Sequence, residues 1–272
     1  MREYLAINRA NWDERAAAHA ASPDYAVDRF IADPEFISQV VQFDRARLGN
    51  LDGVSGVHLQ CHIGTDTISL ARLGATMTAL DFSPASLHQA RWLAERTGTP
   101  VQFAEADVYR ALDVLRPESF DLVYTGIGAL SWLPDVARWA RVVAGLLRRG
   151  GRLFIRELHP MLSSIGASHD DLVVDHPYFE RLEPMVFDHP GTYVQTDETF
   201  STSTTHEWSH GLGQTITALL ENGMRLTEFT EHDSVPWPAL PEQMSRDERG
   251  EWRLTDRPWR LAASFTIQAI RG

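Results

Sequence analysis

The chain contains no lysine, and all 25 of its basic residues are arginine. A Walker A phosphate-binding loop needs a lysine amine beside the phosphates, and a pyridoxal phosphate enzyme needs one for its Schiff base. The sequence therefore excludes both of these large enzyme classes.

Cysteine is scarce, and long apolar runs are missing. Cys61 is the only cysteine among 272 residues, so a single chain forms no disulfide and no cysteine-rich metal cluster. No run of 18 apolar residues occurs, and the first 21 residues carry six charged side chains, unlike a signal peptide. We expect no membrane insertion and a cytoplasmic location.

The overall charge is acidic, and blocks of like charge are missing. The formal net charge is −12. A surface of this sign repels a nucleic-acid backbone, so we expect no nucleic-acid partner. Because 43% of the residues are hydrophobic, a chain of this length can bury a full core, and we expect one domain.

From Val57 onward, short apolar runs alternate with stretches of helical periodicity, which is typical of βα units in a mostly parallel sheet. The predicted strands are 57–61, 77–81, 101–104, 120–125, 152–157, 224–229 and 263–270. Together they predict an α/β fold with a Rossmann-like, doubly wound sheet of seven strands.

Four regions are expected within this single domain. Residues 1–50 form a helical N-terminal lid, 51–158 the ligand-binding core, 159–205 an insertion that caps the site, and 206–272 the rest of the sheet. The insertion is rich in His, Pro, Asp, Ser and Thr, with short strand-like stretches such as 191–195. For the first helix, packing against the sheet edge and closing over a ligand are both open.

Polar groups follow three consecutive predicted strands, on the side of the sheet where doubly wound folds bind ligands. The first loop offers Gly64 alone, with His62 and Asp66 beside it. A dinucleotide site needs GxGxxG there, and Asp66 opposes a pyrophosphate but attracts an ammonium group. Asp81 ends the second strand, where a carboxylate can accept hydrogen bonds from ribose hydroxyls. Asp107 follows the third strand and can accept from an adenine amino group.

Two stretches, VHLQCHIGTDTISLARLGA and MTALDFSPASLHQAR, resemble the class I S-adenosylmethionine (SAM) dependent methyltransferases, specifically a bacterial small-molecule branch with LQCH in its first motif. The resemblance continues through FDLVYTGIGALSWLPDV, GGRLFIRELHP and HEWSHGLGQTITALLENGMRL. It implies SAM as cofactor, S-adenosylhomocysteine as product, an antiparallel last strand and an insertion over the acceptor.

The resemblance also implies roles for individual residues. The methionine part of SAM is assigned to Gly64 and its neighbours, the ribose to Asp81, the adenine to Asp107 and Val108, and the surroundings of the sulfonium to residues 125–126. The full set expected to contact the cofactor is Trp12, Gln60, His62, Gly64, Asp66, Asp81, Phe82, Ser83, Asp107, Val108, Thr125 and Gly126.

The first loop departs from the family pattern. Gln60 stands where the family usually has an acid, and His62 and Asp66 stand where it usually has glycines. We infer that Asp66 partly replaces the lost acid and faces the amino group of SAM.

Methyl transfer from a sulfonium is an in-line displacement, so the protein aligns a nucleophile, excludes water and supplies a base for a protic acceptor. The histidines expected to serve as base are His159, His206 and His210. The aromatic residues expected at the acceptor are Tyr25, Trp132 and Trp208, which favour an apolar or aromatic molecule. We expect methylation of oxygen or nitrogen of a small molecule, with carbon methylation of an indole-like natural product left open.

Residues 206–210 also spell HExxH, the zinc protease pattern in which two histidines bind metal and Glu207 is the base. The alternatives to a transferase are therefore a zinc-dependent hydrolase and a SAM-binding protein without catalysis. The zinc motif needs a helix, yet Gly211 and Gly213 follow it directly. It also leaves the pattern from Val57 to Asp107 unexplained, so we predict no metal.

Overall fold

The computed structural model describes residues 3–166 and 171–272, and its centre is a seven-stranded sheet. The strands of this sheet are β1 (Ser55–Leu59), β2 (Thr76–Asp81), β3 (Val101–Glu105), β4 (Phe120–Thr125), β5 (Leu147–Leu158), β8 (Met224–His232) and β11 (Ser264–Arg271). Two small hairpins pair β6 (Met185–Asp188) with β7 (Thr204–Glu207) and β9 (Met244–Arg246) with β10 (Trp252–Leu254).

The helices lie on both faces of the sheet and around its edge. They are α1 (Glu3–Ala21), α2 (Val27–Ala32), α3 (Gln39–Leu48), α4 (Thr65–Arg72), α5 (Pro84–Thr97), α6 (Ala111–Val114), α7 (Val136–Leu146), α8 (Pro160–Ser163) and α9 (Leu212–Glu221). In the described part of the chain, no helix combines the length and the apolar character needed to cross a membrane.

The strand order is β3-β2-β1-β4-β5-β11-β8. The first five strands pair in parallel, and β11 runs antiparallel to both β5 and β8. This confirms the predicted doubly wound sheet with an antiparallel last strand. The order reverses between β1 and β4, and such a reversal opens a crevice above the carboxyl ends of the two strands.

Local sequence explains most of these elements. The central strands are buried along nearly their whole length because helices cover both faces, so they appear as continuous apolar runs. Helix α5 is capped at its start by Ser83, whose hydroxyl accepts from the amide of Ser86 at 3.0 Å, and at its end by Gly98 with φ +63°. Helix α7 ends at Leu146, and β5 begins at the next residue, Leu147.

The insertion differs from its sequence pattern. Residues 191–195 form no strand, so that strand prediction is wrong; β6 pairs with β7 instead. The main-chain oxygen of Gly191 accepts from the guanidinium of Arg15, at 3.0 Å from Nη2. The Arg15 guanidinium of α1 thus donates to a main-chain carbonyl that would otherwise accept from a neighbouring strand.

Helix α1 buries a polar stripe rather than an apolar one. Asn8, Asn11, Arg15 and His19 recur every three or four residues, and each is at most 4% exposed. Their side chains hydrogen-bond to the insertion, for example Asn11 Nδ2 to the carbonyl of Thr202 at 2.9 Å. Helix α1 and residues 189–206 therefore form a joined cover over the carboxyl ends of the strands.

Candidate active site

A cavity of about 270 Å³ lies under this cover, at the carboxyl ends of β1, β2, β4 and β5. A second cavity of about 30 Å³ lies beside it, between α1 and the residues that follow β3. The side chains of Gln60, Phe82 and Trp132 line both. The two cavities are therefore adjacent parts of one elongated site, and these three side chains lie between them.

Gln60 sits directly after β1, at the strand-order reversal. Its backbone is left-handed, with φ +58°, and its Nε2 donates to the carbonyl of Ala129 at 2.9 Å. Its Oε1 is buried without a hydrogen-bond partner among the described residues. A buried amide oxygen without a donor is costly, so the site has an acceptor ready for a ligand hydrogen bond.

Asp81 ends β2 and is 5% exposed. One carboxylate oxygen accepts from the amide of His62 at 2.8 Å and the other from the amide of Ser83 at 2.9 Å. Burial raises the pKa of Asp81 to about 6, although these amides favour the charged form. Because each carboxylate oxygen has further lone pairs, Asp81 can still accept from two ligand hydroxyls.

Asp107 and Val108 line the smaller cavity. The carboxylate of Asp107 caps a short 3-10 turn by accepting from the amide of Tyr109 at 3.1 Å. Tyr4, Leu5 and other residues of α1 close the opposite side. The result is a narrow, largely apolar slot with one carboxylate at its edge, which suits a flat heteroaromatic ring.

Asp66 lies in the first turn of α4 and lines the larger cavity. Burial raises its pKa to about 6. Gly126 leaves room beside it, since a Cβ there would lie 3.4 Å from Oδ2 of Asp66 and 3.6 Å from Nε2 of His58. This carboxylate therefore faces an open cradle that a side chain at position 126 would fill.

The loop after β4, residues 126–132, forms one wall of the larger cavity, and Glu157 holds this loop in place. Its carboxylate accepts from four amides: those of Gly128 at 2.6 Å, Ala129 at 2.8 Å, Leu130 at 2.7 Å and Leu158 at 2.6 Å. Burial raises the pKa of this carboxyl, and the four donors oppose that effect. Glu157 is thus a positioning residue for the loop.

Aromatic side chains surround the rest of the larger cavity. Trp12 contacts Trp132 edge to face, with ring centroids 5.1 Å apart, and Trp237 contacts Tyr193 at 5.7 Å. The phenol oxygens of Tyr25 and Tyr193 hydrogen-bond to each other. These rings line a space suited to a flat apolar molecule.

Nine of the residues expected to contact the cofactor line one or both cavities: Trp12, Gln60, His62, Asp66, Asp81, Phe82, Asp107, Val108 and Gly126. The other three, Gly64, Ser83 and Thr125, line neither cavity. A Cβ at Gly64 would come within 2.9 Å of the Cβ of Ala90, so this glycine serves the packing of α4 on α5.

Of the expected acceptor residues, Tyr25 and Trp132 line the larger cavity and Trp208 lines neither. The ring of Trp208 packs against Tyr4, at a centroid distance of 5.1 Å. Trp208 is therefore part of the packing between α1 and the segment that follows β7.

The three histidines expected to act as base lie outside both cavities. His159 caps α8 by accepting from the amide of Met161 at 3.0 Å. The ring of His210 bonds to the carbonyl of Leu133 at 2.7 Å. The main chain of His206 pairs with the side-chain amide of Asn8, which joins β7 to α1.

The zinc-hydrolase alternative is wrong, because the helix that HExxH requires does not form. Residues 204–207 are strand β7, and α9 begins only at Leu212. Across residues 3–166 and 171–272, no three histidine, cysteine or carboxylate side chains are grouped to hold a metal ion. His210 is instead engaged by a carbonyl and by Glu180 at 2.8 Å.

Sequence reasoning missed several lining residues, among them His58, Tyr193, Trp237 and Asn8. For α1 a signal existed, since Tyr4, Asn8 and Trp12 recur every four residues and share a face. For Tyr193 and Trp237 there was none, because they come from irregular segments far along the chain.

Known proteins resemble this chain in sequence and in fold. Residues 57–153 match a family model described as a methyltransferase domain. The chain is 31% identical over 198 residues to a ubiquinone biosynthesis O-methyltransferase of Xanthomonas euvesicatoria pv. vesicatoria (strain 85-10), covering 70% of this chain and 78% of that protein.

Two solved structures share the fold. An S-adenosylmethionine dependent methyltransferase from Mesorhizobium loti has 22% identity and a TM-score of 0.56, with 86% of this chain and 98% of that one covered. Magnesium protoporphyrin IX methyltransferase from Synechocystis PCC 6803, solved with bound SAH, has 15% identity and a TM-score of 0.50, with 92% and 83% covered.

A doubly wound sheet with an antiparallel last strand and an elongated site at its order reversal defines a class I methyltransferase fold. By this fold and by its relatives, the chain belongs to the class I SAM-dependent methyltransferase family. It is a SAM-dependent methyltransferase enzyme, and its cofactor is SAM. The Oε1 of Gln60, which is buried without a partner among the described residues, can accept a hydrogen bond from SAM, and the space at Gly126 leaves room for it.

Proposed function

We propose that this enzyme transfers a methyl group from SAM to a hydroxyl oxygen of a small aromatic molecule. The observation that carries the proposal is the aromatic wall of the larger cavity, formed by Trp12, Trp132, Tyr193 and Trp237 beside the loop after β4. The relative from Xanthomonas, which is named an O-methyltransferase, supports oxygen as the accepting atom.

The cofactor would lie along the two joined cavities. Asp81 accepts from the ribose hydroxyls, and Asp107 with the amide of Val108 binds the adenine in the smaller cavity. Gln60 and Asp66 face the amino-acid end. When bound, SAM supplies a methyl group on a positively charged sulfur, which makes its carbon electrophilic.

The chain's own residues align the acceptor and exclude water. Glu157 fixes the loop after β4 against the site, and the cover of α1 and residues 189–206 closes it from solvent. A closed site keeps the acceptor oxygen in line with the methyl carbon, which is where most of the rate gain of such a transfer arises. In this arrangement the aromatic walls orient the acceptor ring.

The test is transfer from SAM with a labelled methyl group to matched phenols, anilines and indoles, with mass spectrometry of the products. We expect methyl ethers of the phenols. Products methylated only on nitrogen or carbon would refute the oxygen proposal. Tight SAM binding in calorimetry without transfer to any acceptor would instead support a SAM-binding protein without catalysis.

A further inference from the structure

Glu207 is a carboxylate in the larger cavity that no part of the proposed cofactor site uses. It ends β7, is half-buried, and accepts one hydrogen bond from the described residues, from the hydroxyl of Thr205 at 3.0 Å. An ionised carboxylate has lone pairs for about four donors. Glu207 therefore has acceptor capacity left for a ligand.

The residues around Glu207 fix it in place. On one side, the main chain of His206 exchanges two hydrogen bonds of 2.8 Å with the Asn8 amide. On the other, the amide of Trp208 donates to the carbonyl of Ser131 at 2.8 Å. The strand is thus held between α1 and the loop after β4, and Ser131 lines the cavity too.

The cavity offers Glu207 no cation. Arginine is absent from its lining in the described part of the chain. Burial lowers the pKa of His58 to about 3 and that of His62 well below its usual range, so both imidazoles are neutral. The other titratable groups of the lining are Cys61, Asp66, Asp81, Tyr25 and Tyr193. Glu207 is therefore free to accept a hydrogen bond from a molecule bound in the cavity.

We infer that Glu207 is the base that takes the hydroxyl proton of the acceptor, an inference that rests on the proposed oxygen methylation. The acceptor oxygen forms a bond to the methyl carbon, the carbon–sulfur bond breaks with its electron pair going to sulfur, and the hydroxyl proton moves to a carboxylate oxygen of Glu207. The products are a methyl ether, a neutral thioether and a protonated carboxyl.

Burial suits Glu207 to this role. It raises the pKa of Glu207 above that of an ordinary glutamate, while the Thr205 hydroxyl favours the charged form. A carboxylate whose pKa is raised is a stronger base. Because its pKa is then closer to that of a phenol, proton transfer from the phenol is more favourable. The neighbouring rings of Trp132 and Trp237 would hold a phenol ring flat within the same cavity.

The first test compares Glu207→Gln with wild type on phenols of different acidity. The assay is run in mildly alkaline buffer, where phenol is still protonated and must lose its proton during transfer, whereas para-nitrophenol is already largely ionised. We expect kcat to fall by about 100-fold on phenol and by less than about tenfold on para-nitrophenol, the range for loss of a general base. Glu221→Gln, exposed at the end of α9, is the matched control and should change neither.

The second test measures no turnover. Para-nitrophenol is bound together with S-adenosylhomocysteine, and its ionisation is followed by visible absorbance as pH rises. In wild type the bound phenol should keep its proton to a higher pH than in Glu207→Gln, because a negative carboxylate beside it disfavours a second negative charge.

The outcomes separate this inference from the proposed function. Equal loss of kcat on both phenols, or identical ionisation of the bound phenol in both proteins, overturns the role of Glu207 and leaves oxygen methylation standing. If wild type binds SAM but methylates only amines or ring carbons, the proposed function and this inference both fail.

Discussion

Replacing Glu157 with glutamine tests whether one carboxylate organises the cavity. Glu157 is 4% exposed and accepts all four of its hydrogen bonds from main-chain amides. Oε1 takes those of Gly128 and Leu158, and Oε2 takes those of Ala129 and Leu130. In either orientation of the glutamine side-chain amide, its NH2 group faces two main-chain NH groups, and a donor cannot accept from a donor.

The expected cost follows from these contacts. Two hydrogen bonds to a charged group are lost, each contributing about 1.5 to 3 kcal/mol. Because the loop can relax, we expect the free energy of unfolding of Glu157→Gln to fall by about 3 kcal/mol. The loop carries Gly126, Ile127 and Trp132 into the larger cavity, so its displacement should also raise the SAM dissociation constant by about tenfold or more.

The assays are urea unfolding for stability and calorimetry for SAM binding. Glu231→Gln is the matched control, since that side chain is 49% exposed and its contact is with His159. The reasoning is refuted if Glu157→Gln unfolds within about 0.5 kcal/mol of wild type and binds SAM with an unchanged constant. That result would mean that the loop holds its shape without the carboxylate.

Three further predictions concern the cofactor site, the core and the cover. Asp66→Ala should raise the SAM dissociation constant by about tenfold at pH 8, and calorimetry should show this difference shrinking below pH 6, because the wild-type pKa of about 6 means that acid has already removed the charge. An unchanged constant at pH 8 would remove Asp66 from the site. Burial raises the pKa of Asp44 to about 7, so this carboxyl favours the folded state at low pH and loses that contribution as pH rises through 7. Asp44→Asn should therefore be near neutral at about pH 3.5, below the ordinary pKa of an aspartate, and stabilising by as much as about 4 kcal/mol at about pH 8 in urea unfolding; a gain that is equal at both pH values would contradict the cause. Arg15→Ala should speed amide hydrogen exchange in α1 and in residues 189–202, since its guanidinium donates to carbonyls of both. The exposed Arg257→Ala should leave both segments unchanged, and equal protection in the two variants would show that the cover does not depend on Arg15.

Some properties of this protein follow from the sequence alone, because they depend on neighbouring residues. Apolar runs of strand length alternating with helical periodicity predicted the seven strands. The start of α5 is also a local feature, since the hydroxyl that caps it directly precedes Pro84. In a sheet of parallel strands joined by right-handed crossovers, the carboxyl ends of the strands lie at one edge. Asp81 and Asp107, which follow two neighbouring strands, are thereby brought to the same edge. Both residues therefore line the site as expected.

Other properties were decided by tertiary structure. Nothing near His159 or His210 in sequence reveals that one caps a short helix and the other bonds to the carbonyl of Leu133, 77 residues away. Glu207 stands in a motif that is typical of a zinc-binding helix, yet the segment is a strand that pairs with β6. The side chain of Asn8 in α1 also holds the main chain of this strand.

The cover over the site is likewise predicted in part by the sequence and decided in part by tertiary structure. Its polar stripe on α1 is visible as a helical repeat, but the partners of Asn11 and Arg15 lie more than 170 residues later in irregular backbone. Helical periodicity shows which face of α1 is polar, but it does not show which segments of the chain pack against that face. The residues that close the cavity, Tyr193, Glu207 and Trp237, are therefore set by packing between distant segments.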